Sequence, residues 1–363
     1  MALPILYKKT KTGAVQQYRV WTIGRTIFVE QGQVEGKKQT YDTICFAKNL
    51  GKTNETSDSE QARLEAQSKW NKKVKSGYTQ DITGNIVVNL PMKVKVLQDQ
   101  EKNVVYDCIS NEKLNGVNGT YKLKGKTLTL ESRGGDLYPI IPHHTLDILT
   151  IMEHIGTNEL NGELYIHGEH LQDITSAVKK PNKLSPRLEF HIFDICTTDT
   201  YKARREAMME EDNTYNYDYI GFITGVTCRN REEIEKHFNK CIEEGFEGTV
   251  VKNLTGLYKH NIRSSDQFKY KKAKDIEKQI IGFNIDKNGH CVFVVKVNTN
   301  SDLTFKVKMK GTNKERLEIA KNATNYIGKW LNISYEAFSK DGKCLKPVGN
   351  YFRKMLTENQ AAE

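Results

Sequence analysis

The sequence has no long apolar run, and none of its apolar stretches approaches the ~20 residues that a membrane-spanning helix needs. Its N-terminal apolar stretch is short and is followed at once by Lys8 and Lys9, which does not fit a signal peptide. Cysteine is scarce, and no CxxC spacing occurs, so neither a disulfide framework nor a zinc ribbon is indicated. The seven cysteines are Cys45, Cys108, Cys196, Cys228, Cys241, Cys291 and Cys344. We therefore expect a protein of the cytoplasm, or of a host cytoplasm if the gene is viral.

Hydrophobic residues are also few: they make up 37% of the 363 residues, and 28% are charged. A chain of this length predicts two or three domains at about 150 residues each. The net charge of +10 favours a polyanionic partner, although simple solubility explains it equally well. The excess lies at the two ends: residues 1–84 hold 14 basic and 8 acidic side chains, and residues 277–363 hold 15 and 9. Terminal modules that contact a phosphate backbone would have this distribution.

The first 85 residues have the pattern of a small α/β module. Two strands rich in β-branched and aromatic residues flank Gly24 and Arg25, which predicts a hairpin. Ser57 and Glu60 form a capping box before a helix that ends at Gly77. The lysines on this helix indicate either a nucleic-acid contact or a solvated face. The segment resembles a WGR domain, with a predicted turn at residues 31–33 in place of Trp-Gly-Arg, and the resemblance implies DNA contact.

The rest of the chain has two further patterns. Between residues 91 and 275, short apolar strands alternate with helical stretches, which indicates a mixed α/β domain. From residue 276 onward, strands separated by turns, with one short helix near residues 314–326, predict a small β-barrel. In residues 303–310 the alternation places Leu303, Phe305, Val307 and Met309 on the core face. It places three lysines on the other face, as a phosphate track or a solvated strand face: Lys306, Lys308 and Lys310.

The stretch that indicates chemistry is SNEKLNGVNG at residues 110–119, in which Lys113 lies between apolar strands. Alone, it fits an exposed lysine in a hairpin turn. Its importance comes from the segments that follow in order: SRGG at 132–135, GELY at 162–165, FHIFD at 190–194, EGTVVK at 247–252 and FKYKK at 268–272. This series resembles the covalent nucleotidyltransferase superfamily of DNA ligases, RNA ligases and mRNA capping enzymes. The resemblance spans about residues 91–360, because the family follows its catalytic domain with an OB-fold.

The resemblance implies a role for each matching residue. Lys113 would be the nucleophile that carries AMP, and Glu247 would bind the catalytic metal. Arg133 would hold a 5′-phosphate, and Lys346 and Arg353 would contact DNA near the C-terminus, together with the three barrel lysines. The nucleotide-binding residues would be Asn115, Glu163, Phe193, Lys252, Lys269 and Lys271. A lysine amine attacks phosphorus only when unprotonated, and positive charge from two nearby lysines and Mg²⁺ would favour that form.

Two residues depart from the family pattern, and they leave alternatives open. Asn115 replaces an aspartate, and Asn118 stands where DNA ligases commonly have arginine. Phage RNA ligases place an asparagine at the second position. The predicted function is an ATP-dependent DNA ligase that seals 5′-phosphate/3′-hydroxyl nicks through a lysyl-AMP intermediate. The alternatives are an RNA ligase, or a ligase that tolerates RNA at the nick, and a non-catalytic nucleic-acid-binding protein.

The predicted architecture is an α+β multidomain protein in three parts. Residues 1–85 form a small α/β DNA-binding module of WGR-like type, residues 86–275 a nucleotidyltransferase (adenylation) domain, and residues 276–363 an OB-fold β-barrel. The cofactors implied by the resemblance are ATP and Mg²⁺. NAD is disfavoured because the chain lacks the extra elements of NAD-dependent ligases. The expected partner is nicked duplex DNA, with RNA in one strand under the alternative, and we expect a monomer without membrane contact.

Overall fold

The computed structural model describes residues 1–10, 12–83, 89–271, 274–286, 288–298, 301–339 and 341–353. The chain divides into two compact units, Met1–Tyr270 and Lys271–Glu363. None of the helices among the described residues is both long enough and apolar enough to cross a membrane. The three-part division predicted at residues 85 and 275 stays a prediction, since the first unit contains both the N-terminal module and the predicted catalytic domain.

The N-terminal module is a four-stranded antiparallel sheet with one helix on it. Its elements are β1 (Leu6–Lys9), β2 (Val15–Ile23), β3 (Thr26–Gln33), β4 (Lys38–Ile44) and α1 (Asp58–Lys75). The hairpin at residues 24–25 is confirmed, because Ile23 pairs with Thr26 across it. The capping box is also confirmed: the Ser57 hydroxyl accepts from the backbone N–H of Glu60, whose carboxylate accepts from the N–H of Ser57.

The turn predicted at residues 31–33 is wrong. These residues close strand β3: Gln31 and Gly32 pair with both neighbouring strands, with Gly32 opposite Gln17 and Lys38, and Gln33 pairs with β2. A Cβ on Gly32 would lie 2.7 Å from the carbonyl oxygen of Lys37, so the strands approach too closely there for any side chain. The chain turns after Gln33. The WGR resemblance itself remains a prediction.

Two sheets and several helices form the rest of the first unit. The elements, in chain order, are β5 (Lys93–Val96), β6 (Cys108–Lys113), β7 (Val117–Lys124), β8 (Thr127–Ser132), β9 (Leu137–Tyr138), α2 (Thr145–Ile155), β10 (Glu159–Tyr165), α3 (Leu171–Lys179), β11 (Glu189–Ile195), α4 (Tyr201–Thr214), β12 (Ile220–Phe222), β13 (Val226–Cys228), α5 (Arg231–Glu243), β14 (Gly248–Asn253) and β15 (Arg263–Lys271). The first sheet has the order β12-β11-β10-β7-β8-β9, and the second has the order β13-β6-β14-β15-β5. The mixed α/β pattern predicted for this segment is confirmed.

The largest apolar core of the chain lies on the six-stranded sheet. Side chains from its central strands are fully buried, among them Tyr121 of β7, Leu164 of β10 and Phe190 of β11. Helix α5 begins as predicted, since the Asn230 side chain accepts from the N–H of Glu233. Consecutive strands β6 and β7 belong to different sheets. The short loop after Lys113 therefore passes from one sheet to the other.

The second unit contains a closed five-stranded barrel in the order β16-β17-β18-β22-β19. Its elements are β16 (Lys274–Ile285), β17 (Cys291–Lys296), β18 (Thr304–Met309), α6 (Asn313–Lys321), β19 (Trp330–Tyr335), β20 (Ala337–Phe338), β21 (Cys344–Leu345) and β22 (Val348–Phe352). The predicted barrel and short helix are confirmed. The OB-fold assignment stays a prediction.

The predicted alternation in β18 is right for three of its four apolar residues. Phe305, Val307 and Met309 are buried in the barrel core. Leu303 was predicted on the same face, but it lies before the strand begins and is 47% exposed. The pleat that would turn its side chain inward starts only at Thr304.

Candidate active site

Lys113 lies at the point where the five-stranded sheet ends and the loop to the other sheet begins. Its Nζ donates a short hydrogen bond to the Glu247 carboxylate, and it lies 3.4 Å from the carbonyl oxygen of Leu114. The Glu247 N–H donates to the Lys113 carbonyl oxygen at 2.9 Å. Strand β14 runs antiparallel to β6 with Gly248 opposite Lys113, so strand pairing itself places Glu247 beside the lysine. Both side chains are 21% exposed, which leaves their polar ends accessible.

Glu163 reaches the same place from the six-stranded sheet. Gly116, in the loop after Lys113, lies directly against β10: a Cβ at this position would be 2.8 Å from the Glu163 Cγ and 2.4 Å from the carbonyl oxygen of Leu164. Only glycine allows the loop to approach β10 this closely. Burial raises the pKa of Glu163 to about 7, against the opposing effect of the positive charges of Lys113 and Arg133. The structure thus brings together four of the predicted residues: Lys113, Arg133, Glu163 and Glu247.

This cluster has the chemistry that phosphate transfer requires. An amine and a carboxylate, Lys113 and Glu247, are in direct contact, and the charges of Lys113 and Arg133 both act on the Glu163 carboxylate. A guanidinium such as that of Arg133 can bind phosphate oxygens in a bidentate way. Carboxylates are the protein ligands that Mg²⁺ prefers, together with phosphate oxygens and water. The Glu247 carboxylate, which pairs with Lys113 and acts electrostatically on Glu163, therefore fits a magnesium ion.

Lys252 lies deep inside the fold, in a buried charge network. Its Nζ donates to the Phe193 carbonyl oxygen at 2.6 Å and lies 3.4 Å from Asp194 Oδ2. Arg204 Nε donates to the other oxygen of Asp194 at 2.7 Å. Burial lowers the pKa of Lys252 to about 8, with Asp194 opposing the shift. The pKa of Asp194 is lowered although burial raises it, because Lys252 and Arg204 outweigh burial.

The buried network also holds the predicted stacking residue. Lys252 lies 5.5 Å from the centroid of the Phe193 ring and 4.3 Å from that of Tyr201. Phe193 is partly buried against the main core. Sequence reasoning missed Arg204, the largest fully buried side chain of the described residues. Arg204 stands in the charged run KARREAMMEED, but it lies at helical spacing between the buried Tyr201 and Met208, and this spacing is the signal that could have placed it on the inner face.

The other predicted site residues are more dispersed. Asn115 is exposed in the loop after Lys113, and Asn118 is buried on β7 opposite Glu163. Lys269 is partly buried on β15, and Lys271 ends that strand.

Among the predicted DNA-binding residues of the barrel, three are already in ion pairs. Lys308 lies 2.6 Å from Asp286, Lys346 lies 2.6 Å from Glu336, and Arg353 pairs with Glu277. Lys306 and Lys310 are exposed. The predicted phosphate track therefore has two exposed lysines and one that is paired with a carboxylate.

Lys113 pairs with Glu247 at the junction of two sheets, and the segment that contains this pair matches a known family. Residues 91–271 match the family model of the ATP dependent DNA ligase domain. This segment of the chain belongs to that domain family. The matched segment contains the lysine loop, both carboxylates and the buried network.

Viral proteins are among the relatives. The chain is 31% identical to the DNA ligase of Enterobacteria phage T4 over 144 residues, which are 37% of this chain and 29% of that protein. It is 27% identical to the DNA ligase of an African swine fever virus isolate (Tick/South Africa/Pretoriuskop) over 279 residues, which are 72% of this chain and 64% of that protein. The chain thus spans less than two thirds of the length of either relative.

Solved structures of similar fold also include ligases. One is of a Lig E DNA ligase, with a TM-score of 0.60 and 18% identity, covering 74% of this chain and 100% of that one. Another is of Pmar-Lig, with a TM-score of 0.64 and 17% identity, covering 82% of this chain and 73% of that one. At these identities the likeness shows the fold.

Proposed function

We propose that the protein is an ATP-dependent DNA ligase that seals 5′-phosphate/3′-hydroxyl nicks in duplex DNA. The observation that supports this most is the contact of Lys113 with Glu247, close to Glu163, inside the segment that matches the ligase family model. The basic excess at both ends of the chain suits a duplex as substrate. The cofactors are ATP and Mg²⁺.

The proposed reaction has three transfers at one site. The Lys113 Nζ, after losing a proton, attacks the α-phosphorus of ATP, so that a P–N bond forms and pyrophosphate leaves. The AMP then passes to the oxygen of a 5′-phosphate, which frees the lysine. The neighbouring 3′-hydroxyl attacks that phosphate, a phosphodiester forms and AMP leaves. Glu247 would hold Mg²⁺ with phosphate oxygens and water, and the ion would neutralise phosphate charge.

The remaining residues are assigned by their positions around this chemistry. We propose that Glu163 contacts the nucleotide ribose and that Phe193 stacks on adenine, with Lys252 behind it. Asn115, Lys269 and Lys271 would contact the nucleotide, and Arg133 the 5′-phosphate. On the barrel, the proposed DNA contacts are Lys306, Lys308, Lys310, Lys346 and Arg353. Lys308, Lys346 and Arg353 would each have to exchange a carboxylate for a phosphate.

The N-terminal module supports the proposal of DNA contact through a polar groove. The groove encloses about 450 Å³ and is lined mainly by amides and amines: Gln16, Gln31, Gly32, Gln33, Lys37, Gln39, Lys73 and Tyr78. Lys73 Nζ lies 4.6 Å from the ring centroid of Tyr18 and 4.9 Å from that of Tyr78. Side-chain amides and amines are donors to phosphate and sugar oxygens, which fix a protein on a duplex without reading its sequence.

One observation favours the RNA alternative as a second candidate. The Oδ1 of Asn118 is buried and has no hydrogen-bond partner, while its Nδ2 donates to the Gly162 carbonyl oxygen at 3.3 Å. A buried acceptor without a donor is costly. A hydroxyl of a bound ribose would satisfy it, and a 2′-hydroxyl is the donor that RNA has and DNA lacks. Sealing assays with RNA in either strand at the nick decide between the two candidates.

The direct experiment is covalent labelling. The purified chain is first treated with pyrophosphate, then incubated with Mg²⁺ and α-labelled ATP and separated under denaturing conditions. We expect a labelled band that Lys113→Ala abolishes. The matched control is Lys126→Ala, an exposed lysine in the next hairpin. Sealing of a nick by Lys113→Ala at the wild-type rate would refute the proposal.

The setting of the activity is also a proposal. The related phage and viral ligases support a protein that works in a host cytoplasm, in replication or repair of DNA. We propose that it acts as a monomer, and light scattering of the free protein would test this. A stable dimer would require a different account of how the site reaches a nick.

A further inference from the structure

Three metal-binding side chains of different kinds meet away from Lys113. Glu159 begins strand β10, Cys196 follows the end of β11, and His260 lies in the loop between β14 and β15. One ligand atom from each lies within 4.8 Å of the other two. The closest pair is His260 Nε2 and Glu159 Oε1, which are 3.1 Å apart. A carboxylate, a thiol and an imidazole thus face one small space.

The backbone holds each of the three in place. Strands β10 and β11 pair with Leu160 opposite Ile195, and the Cys196 N–H donates to the Glu159 carbonyl oxygen at 3.1 Å. The loop that carries His260 is fixed by Asn261, whose N–H donates to the Leu90 carbonyl oxygen at 2.9 Å. In return, the Leu90 N–H donates to Asn261 Oδ1 at 3.1 Å. The three side chains are therefore positioned by strand pairing and a double hydrogen bond.

The cluster is partly accessible and has two further polar neighbours. Cys196 is partly exposed, whereas the other six cysteines of the chain are buried. Glu159 also lies 3.6 Å from the buried ammonium group of Lys122, and the Cys196 thiol has a hydrogen bond with Tyr258, so a bound ion would have to compete with both. The cluster is separate from the proposed catalytic metal, because Glu159 precedes Glu163 by four strand residues, about 13 Å at ~3.3 Å per residue.

We propose that Cys196, His260 and Glu159 form a binding site for a divalent cation of the zinc class. Thiolate and imidazole are the ligands that Zn²⁺ and Co²⁺ prefer, whereas Mg²⁺ binds oxygen. Three protein ligands leave a fourth tetrahedral position for water. Binding forms a metal–sulfur bond and releases the thiol proton to solvent, so no oxidant or reductant is needed. The ion would connect the start of β10 and the end of β11 to the loop that follows β14.

The test is a cobalt titration of the full chain after treatment with a chelator, without ATP or DNA. We expect a thiolate-to-cobalt charge-transfer band and tetrahedral ligand-field bands that saturate at one equivalent and disappear when Zn²⁺ is added. Cys196→Ser, His260→Gln and Glu159→Gln should each abolish or strongly weaken the charge-transfer band. Glu159→Gln preserves side-chain size, so it keeps the test decisive if another variant fails to fold.

Two control variants remove the same residue types elsewhere. Cys344→Ser removes a buried barrel cysteine, and His170→Gln removes an exposed histidine in the sequence HGEH, so both should keep the wild-type spectrum. Absence of the band at millimolar Co²⁺, or a band that persists in Cys196→Ser, would overturn the proposal. Because the titration uses neither nucleotide nor DNA, its failure is distinct from a failure of the proposed ligase activity.

Discussion

Replacing Gly116 with alanine should slow transfer of AMP to Lys113 without unfolding the protein. The added Cβ would lie 2.4 Å from the carbonyl oxygen of Leu164 and 2.8 Å from the Glu163 Cγ. Ordinary contacts of a Cβ begin at about 3.4 Å, so the loop must move away from β10 by roughly 1 Å. A displacement of this size between reacting groups costs about 10²-fold in rate. Overpacking at one site costs about 1–3 kcal/mol of stability.

The assay follows the rate of labelling from α-labelled ATP in single-turnover mixtures, with thermal unfolding measured on the same preparations. The matched control is Gly125→Ala, in the turn between β7 and β8. There an added Cβ meets nothing within 4 Å, but φ is +60°, so alanine strains the backbone without touching the site. We expect Gly125→Ala to lose stability and keep its labelling rate. If Gly116→Ala labels as fast as the wild type, close approach of the loop to Glu163 does not position Lys113.

Three further predictions follow from individual contacts. Glu247→Gln removes the carboxylate that is proposed to hold Mg²⁺ beside Lys113, so labelling should fall by at least ~10²-fold with little change in melting temperature, as separate rate and melting measurements would show. Asp194→Asn leaves two buried cations without their partner and should cost about 3 kcal/mol in urea unfolding, whereas a loss below 1 kcal/mol would contradict the buried network. The pKa of Asp286 is lowered to about 2: desolvation raises it, but hydrogen bonds from Lys308 and the backbone outweigh desolvation. The contribution of Asp286 to barrel stability is therefore present above pH 3.8 and is lost as the pH falls towards 2. Because this side chain is only partly buried and solvent screens its ion pair, the difference in acid unfolding between wild type and Asp286→Asn should stay below ~1 kcal/mol.

Local rules predicted the local structure of this chain well. The capping box at Ser57, the cap at Asn230 and the alternation from Phe305 to Met309 each depend on residues within one element. The errors arose where a neighbouring strand decides the outcome. Residues 31–33 have polar side chains and a glycine, which are typical of a turn, but pairing with β2 and β4 keeps them extended. The prediction that Leu303 is buried was wrong because the strand begins one residue later, at Thr304.

The sequence predicted which residues belong to the candidate site, but not which of them are in contact. The motif order singled out Lys113, Glu163 and Glu247. Nothing in one sequence shows that Lys113 ends a strand whose partner strand begins directly after Glu247, or that Glu163 belongs to another sheet. The charge network around Asp194 could not be predicted for the same reason, because its partners Arg204 and Lys252 lie 10 and 58 residues further along the chain.

The buried charge network of Asp194, Lys252 and Arg204 connects the two sheets that carry the candidate site. Lys252 is on β14, the strand that Glu247 precedes, and Asp194 is on β11, next to Phe193. Their contact therefore connects the five-stranded sheet, which carries Lys113, to the six-stranded sheet, which carries Glu163. A buried ion pair contributes little net stability compared with apolar packing, but it is satisfied in only one relative position of its partners. Weakening it should thus change the separation of Lys113 from Glu163, and with it the labelling rate, before it unfolds the domain.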